Sequence, residues 1–207
     1  RKTVTIMSLE RILWELENHA EKRNPEKYHV LIFGTPSAEG NWAWRFEGHH
    51  FSCSVTIASG RLVSVTPSFM GANPGIVLDG PRKGLQLLGE EEAAGRDLAR
   101  SLTEDQKKTA LLPGEPPADV LTAEKQRVEP LSPAGLSSAS MNEAQRGMLW
   151  KVIGTYIGRF RPELADGVAA RLRSTGQESL TFSWSGSVEP GKAHYYLSED
   201  TAFVMTE

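Results

Sequence analysis

Cysteine is almost absent from this chain, which has only Cys53 among its 207 residues. A single thiol excludes an internal disulfide and any metal site built from several cysteines. The scarcity fits a reducing compartment, and a protein exported after loss of a signal peptide would have the same sequence. Cys53 lies between Phe51 and Val55 in an alternating apolar pattern. We therefore predict a buried, unreactive thiol and not a nucleophile.

Long apolar runs, excess charge and nucleotide motifs are missing as well. No apolar run approaches the ~20 residues that a membrane-spanning helix needs. The net charge is only −3, and no basic run is interleaved with aromatic residues, so the sequence does not indicate nucleic-acid binding. The glycine-rich phosphate loops, the serine-hydrolase elbow and the HExxH motif do not occur. The commonest sequence signals of nucleotide, acyl-transfer and metalloprotease chemistry therefore give no support here.

What is present is the composition of an average globular protein, with 39% hydrophobic and 24% charged residues. An amphipathic helix is predicted over 8–21, capped by Ser8 and carrying His19 near its end, where the helix dipole favours a cation. A buried strand is predicted over 28–33. Further helices are predicted over 82–101, after a capping box at Thr103, after a second capping signal at Asn142, and over 163–173.

Together these patterns predict an α+β fold, with antiparallel strands over 28–69 and 179–206 and helices packed on one side of the sheets. Residues 113–140 are rich in proline and serine and are interpreted as an extended connector. It would separate an N-terminal part, 1–112, from a C-terminal part, 141–207, within one domain overall. Glu90, Glu91 and Glu92 are interpreted as a solvated helix face.

The stretch "NWAWRFEGHHFSCSVTI", residues 41–57, has an apolar pattern that changes phase. The apolar positions 42, 44 and 46 are even, whereas 51, 53, 55 and 57 are odd, and side chains alternate across a strand. Either the chain bulges or turns near Gly48-His49-His50, or one straight strand places Arg45, Glu47 and His49 on the core face. Such a buried charged set would be costly unless its members paired with one another. Both possibilities stay open at this point.

A hairpin is predicted directly after this stretch. A three-residue loop over 58–60, with Gly60 left-handed, would pair Val55 with Val63 and Cys53 with Val65 on the core face. A two-residue loop would oppose Val55 to Ser64 and spoil the alternation. The sequence therefore favours the three-residue loop.

The histidine pair is the strongest chemical signal. Imidazoles are ligands for zinc, copper or iron, and a bulge beside Gly48 would bring His49 and His50 to one side. We predict a metal site at these histidines, with Glu47 and Arg45 as catalytic residues and Arg45 binding a small polar or anionic ligand. One core imidazole beside one exposed imidazole, and an Arg45–Glu47 surface pair, would explain the same residues without a site.

Several long motifs carry a resemblance. The segments are "IFGTPS", "WRFEGHH", "VTPSFMGANP", "GPRKGL", "VEPLSPAGL" and "NEAQRGMLWKVI", in this order along the whole chain. The chain resembles the uncharacterised bacterial family known as domain of unknown function 3500. The resemblance implies no established activity. It implies members that are longer at both ends, with a downstream His-x-His stretch that could add imidazoles to His49 and His50.

Two functions from different classes follow. One is a metal-dependent enzyme, oxidative or hydrolytic, built on Glu47, His49 and His50 with Arg45 positioning the substrate. The other is a non-catalytic ligand-binding or scaffold protein that uses Trp42, Trp44 and Arg45 as a recognition surface. His194 is a distant further imidazole.

Overall fold

The computed structural model describes residues 2–66, 68–72, 75–115, 135–174, 176, 180–189, 194–199 and 203–206. The chain divides into two compact units, Arg1–Leu87 and Leu88–Glu207. Each unit combines helices with a five-stranded sheet, which confirms the predicted α+β class. The elements expected over 88–112 belong to the second unit. Within the described residues, no helix is both long enough and apolar enough to cross a bilayer.

The described residues of the first unit form one helix, a 3₁₀ turn and five strands. In chain order they are α1 (Lys2–Leu16), the 3₁₀ turn (Glu21–Arg23), β1 (His29–Gly34), β2 (Trp42–Gly48), β3 (Phe51–Ala58), β4 (Arg61–Ser64) and β5 (Ser68–Met70). The sheet order is β1-β2-β3-β4, and β5 also pairs with β3. All of these pairs are antiparallel.

Helix α1 begins six residues earlier than predicted and ends at Leu16. Ser8 lies inside the helix, so the prediction that it caps the helix was wrong. The helix ends where Asn18 and His19 adopt φ values of 53° and 62°, a left-handed conformation that cannot continue an α-helix. The buried stripe of α1 includes Ile6, Glu10 and Leu13. The buried face of α1 therefore contains a charged residue, Glu10, beside its apolar residues.

Strand β1 forms where it was predicted, but it is not buried. It lies at the edge of the sheet, and every residue in it is exposed. Val30 and Ile32 are 67% and 58% exposed. The apolar run was interpreted as a buried strand because such runs usually mark strands covered on both faces, and here the described part of the chain covers neither face.

Strands β2 and β3 form a hairpin whose two-residue turn is His49-His50. Gly48 pairs with Phe51, Phe46 with Cys53 and Trp44 with Val55. Partners in an antiparallel pair lie on the same face, so the turn places both apolar sets on one side of the sheet. The phase change therefore comes from a turn, and the straight-strand alternative was wrong.

The next hairpin differs from the prediction. Ala58 pairs with Arg61, so the loop has two residues, Ser59 and Gly60, with φ values of 50° and 70°. A register shift between Thr56 and Ile57 then restores the alternation that this short loop would otherwise spoil. Cys53 lies opposite Ser68 of β5 and not opposite Val65.

The second unit begins with helix α2 and ends with a three-stranded antiparallel ribbon. Its elements are α2 (Gly89–Ser101), α3 (Glu104–Ala110), β6 (Leu111–Leu112), β7 (Leu136–Ser137), a 3₁₀ turn (Ser138–Ser140), α4 (Glu143–Ile157), α5 (Pro162–Ser174), β8 (Thr181–Gly186), β9 (His194–Glu199) and β10 (Phe203–Thr206). The sheet order is β10-β9-β8-β6, with β6 parallel to β8, and β7 pairs with β8 as well. The capping boxes at Thr103 and Asn142 are confirmed. In each, the side chain of the cap residue accepts from the backbone N–H of a glutamine, whose own side chain accepts from the backbone N–H of the cap residue.

Three predictions in this unit need correction. Helix α2 begins at Gly89 and not at 82, because the chain turns over 81–84 and Gly84 has a φ of 84°. Residues 116–134 of the expected connector lie outside the described residues, and Leu136 within it is a buried strand residue, 4% exposed. Glu91 and Glu92 are not solvated; they are 0% and 6% exposed and pair with buried arginines.

Candidate metal centre

Two parts of the first unit bring three metal-ligating side chains together. Helix α1 supplies Glu10, and the β2–β3 turn supplies His49 and His50. One ligand atom from each residue lies within 4.8 Å of the others. The centroids of the two imidazole rings are 4.5 Å apart. The turn therefore does what the sequence predicted a bulge would do, and it places both rings on one side.

The turn is held by contacts on both of its flanks. A Cβ added at Gly48 would lie 2.5 Å from three carbons of the Tyr28 ring, so only glycine fits there without a shift. The Tyr28 ring packs 5.8 Å from Phe46, which packs 5.5 Å from Phe51. The backbone N–H of Gly71 donates to the carbonyl of His50 over 2.8 Å. These contacts fix the turn that carries both imidazoles.

Glu10 is the buried acid of the cluster. Its side chain is 0% exposed, and its Oε1 lies 2.6 Å from Nδ1 of His50. Neither carboxylate oxygen accepts a hydrogen bond of acceptable direction from a described residue. A buried carboxylate without directed donors is costly, and a bound cation would remove that cost.

Arg23, in the 3₁₀ turn, is the cation nearest to these ligands. Its side chain is 5% exposed, and Nη1 lies 3.2 Å from Nε2 of His50 and 3.6 Å from Oε1 of Glu10. The opposite edge of the guanidinium contacts Glu17, with Nε and Nη2 each 3.1 Å from Oε1. Glu10, His50 and Arg23 thus form one network in which the acid and the arginine are buried, while His50 is half-buried and His49 lies exposed beside it.

The electrostatics of the cluster favour a neutral imidazole at His49. Burial lowers the pKa of His49, and the charges of His50, Arg23 and Lys22 lower it further, while Glu10 opposes them. A neutral imidazole is the form that binds metal. Burial, followed by the Glu10 charge, raises the pKa of Tyr28 to about 12, although its interaction with the His50 backbone lowers it. Tyr28 is therefore a neutral phenol beside the cluster.

Comparison with known proteins identifies the family to which the chain belongs. The family model described as "Protein of unknown function (DUF3500)" matches residues 1–205. The chain belongs to this family. No curated protein and no solved structure matches it.

In this DUF3500 member, neither Arg45 nor Glu47, the two residues predicted to be catalytic, belongs to the Glu10–His49–His50 group. Arg45 and Glu47 face the side of β2 opposite Trp44 and Phe46. Arg45 donates from Nε to Ser54 Oγ over 2.8 Å, and its Nη1 lies 3.6 Å from Glu47 Oε2. The same alternation places Arg45 and the two tryptophans on opposite faces, so these three residues do not form one recognition surface.

Glu10 is the member of the candidate group that the sequence of this DUF3500 chain did not point to. The predicted helix started at residue 8, and its apolar stripe used Leu9, Ile12, Leu13 and Leu16, which left Glu10 on a polar face. A register with Ile6 and Leu13 inward would have placed Glu10 inward too. The side chain of His194, on β9, lies outside the described residues. Cys53 is a half-buried free thiol whose pKa is raised by burial.

Proposed function

We propose that this DUF3500 protein is a metal-dependent enzyme that binds one divalent transition metal through Glu10, His49 and His50. The observation that carries the proposal is the convergence of three ligand atoms within 4.8 Å, one of them on a fully buried carboxylate that lacks a directed donor. A structural role alone would not require two adjacent imidazoles at the same acid.

The donor set indicates a catalytic site more than a structural one. Two imidazoles and one carboxylate are the protein ligands of many catalytic zinc sites, which keep a further position for water or substrate. The same set suits non-haem iron(II), whereas copper would prefer a different geometry. The bound metal would activate water or polarise a substrate oxygen. Tyr28, a neutral phenol beside the ligands, would be a hydrogen-bond donor to such a group.

The catalytic roles predicted for Arg45 and Glu47 stay predictions. These residues pair with each other and with serines of β3, and their side chains are 39% and 37% exposed. An Arg–carboxylate pair of this exposure stabilises a fold only weakly. The guanidinium of Arg45 can bind an anionic group, and among the described residues its polar contacts are with Glu47 and Ser54, not with Glu10, His49 or His50.

The test is metal analysis of the purified protein and three variants. Stoichiometric zinc or iron should be present, or taken up on loading, and should be lost in Glu10→Gln, His49→Ala and His50→Ala. His29→Ala is the matched control, since His29 lies exposed on β1 and should leave the metal content unchanged. Absence of metal under every loading condition, or retention of metal in both His49→Ala and His50→Ala, would contradict the proposal.

The alternative is a non-catalytic binding or scaffold protein that uses the tryptophans of β2. It has less support, because Arg45 is not on the tryptophan face and Trp42 donates its indole N–H to the Ser37 carbonyl of its own unit. The same metal analysis separates the two functions. A metal-free protein in all conditions would leave the binding role as the better explanation.

A further inference from the structure

Arg23 faces Nε2 of His50, a ring nitrogen through which this histidine would bind a metal ion. The guanidinium has N–H donors and no acceptor. The nitrogen that it faces, Nε2 of His50, must therefore present its lone pair at the observed 3.2 Å. The other ring nitrogen, Nδ1, then carries the proton and faces Glu10.

This arrangement leaves His50 without a free ligand atom. A metal binds an imidazole through the lone pair, at about 2.0–2.1 Å for zinc. The lone pair of His50 is directed at a cation already. Nδ1, which then carries the proton, lies 2.6 Å from Oε1 of Glu10 but without the alignment of a hydrogen bond. A metal ion and Nη1 of Arg23 would also repel each other at this distance.

Glu17 is a second charged partner for Arg23, and this pair could persist after Arg23 moves away from His50. Glu17 contacts the Nε–Nη2 edge of the guanidinium, whereas only Nη1 contacts the ligand cluster. Glu17 is one-third exposed, so its carboxylate lies at the margin of the site. Arg23 can therefore withdraw Nη1 from His50 while it keeps a charged partner.

From these contacts we infer that Arg23 is an internal cation that occupies the metal position in the metal-free protein and is displaced when the metal binds. The inference rests on the proposed function, since it requires a metal at Glu10, His49 and His50. Arg23 would be a residue that sets metal affinity: it balances the buried Glu10 charge in the empty site and must give up two contacts when the metal enters. Its removal should then tighten metal binding, whereas removal of a supporting residue should weaken it.

The experiment compares zinc affinity in Arg23→Gln and Lys22→Gln by titrating Zn²⁺ alone against a chromophoric chelator. Each variant removes one positive charge from the same short segment. Lys22 is exposed and lies 3.6 Å from Glu17, and its charge has the smallest effect on His49 of the charges that act on it. We expect Arg23→Gln to bind Zn²⁺ about ten- to a hundredfold more tightly, the size of one lost charged hydrogen bond. Lys22→Gln should change the affinity by much less.

A second measurement follows thermal unfolding with and without Zn²⁺. Metal-free Arg23→Gln should melt below wild type because Glu10 loses its charge partner, and Zn²⁺ should raise its melting temperature by more than it raises that of wild type. If Arg23→Gln does not fold, Arg23→Lys decides the question: its ammonium lacks the fork that reaches His50 and Glu17 together, so Zn²⁺ should bind more tightly than to wild type.

Each failure has its own result. Equal or weaker zinc binding in Arg23→Gln, or in Arg23→Lys where that variant is needed, overturns the displacement of Arg23 while leaving the metal site intact. An equal gain in Lys22→Gln overturns it too, because the effect would then be a general one of charge. If neither zinc nor iron(II), used in the same titration, binds to folded wild type or to either arginine variant, the proposed function itself is defeated.

Discussion

Cys53 shows how local surroundings set the chemistry of one residue. Its neighbours in the pairing are Phe46 of β2 and Ser68 of β5. Burial raises the pKa of the thiol, and thiol reactivity depends on the thiolate fraction. At any given pH, a raised pKa leaves less thiolate than a free cysteine has, so the reaction with alkylating agents is slower.

We therefore predict slow alkylation of Cys53 in the folded protein. At pH 8 the rate with iodoacetamide should be several-fold below that of the urea-unfolded chain, and the rate should rise with pH around a midpoint above the usual value of about 8.5. Mass spectrometry of timed, quenched samples measures the rate. A folded-state rate equal to the unfolded one, or a midpoint below the usual value, would show that the thiol is activated.

At this scale, the sequence predicted two of the three members of the Glu10–His49–His50 group. His49 and His50 were identified because imidazoles side by side at a phase change are chemically conspicuous. Glu10 was not, because its inward direction depends on which face of α1 is buried, and the helix predicted from residue 8 lacked Ile6, which shares the buried face with Glu10. Glu47, the acid that the sequence suggested, is not a member of this group, and its catalytic role stays a prediction.

Helix α2 shows how packing overrides a surface-like pattern. Three consecutive glutamates suggested solvent, but Glu91 pairs with Arg159 over 2.9 Å, and Glu92 pairs with Arg96 over 2.5 Å. Arg96 lies over the ring of the buried Trp184, and Arg159 over that of Tyr156. Only Glu90 of the run is exposed. A run of charged residues thus indicates a helix, but it does not indicate which face of the helix is buried.

We predict that Glu91→Gln destabilises the second unit by about 3–5 kcal/mol, because it leaves the Arg159 charge buried beside a neutral partner. Glu90→Gln is the matched control and should stay within about 0.5 kcal/mol of wild type. Urea unfolding followed by circular dichroism measures both. The double change Glu91→Met with Arg159→Met should cost less than the two single changes together. Equal stabilities for the two glutamine variants would refute a buried ion pair.

Element types were predicted better than their surroundings. Both capping boxes, helices α4 and α5 and the three C-terminal strands form as predicted, because local hydrogen bonds and periodicity decide them. The exposure of β1 and the two-residue loop at Ser59 were not predicted. Those features depend on what covers a strand and on a register shift farther along it, which are properties of the sheet and not of a short segment.

On the scale of the whole molecule, the candidate metal chemistry belongs to one compact unit. Glu10, His49, His50 and Arg23 all lie within Arg1–Leu87. The ligands come from α1 and from the β2–β3 turn, which are about forty residues apart in sequence. A bound ion would therefore join the helix to the sheet of its own unit.

An ion that links α1 to the sheet should stabilise both, and hydrogen exchange can measure this stabilisation. A ligand that binds only the folded state stabilises it by RT ln(1 + [L]/Kd), about 2.7 kcal/mol at a hundredfold excess over Kd. Zn²⁺ should therefore slow the exchange of peptides from α1 and from the β2–β3 hairpin. Peptides from α4, in the second unit, should change far less, because that helix holds no ligand of the ion.

The His50→Ala protein is the control, since the same Zn²⁺ concentration should leave its exchange unchanged. Protection that persists in this variant would place the ion elsewhere, and protection strongest in α4 would contradict a site confined to the first unit. The pattern within the first unit matters too. Because Glu10 is the only described ligand on α1, protection of the hairpin without α1 would show that the imidazoles hold the metal without the buried carboxylate.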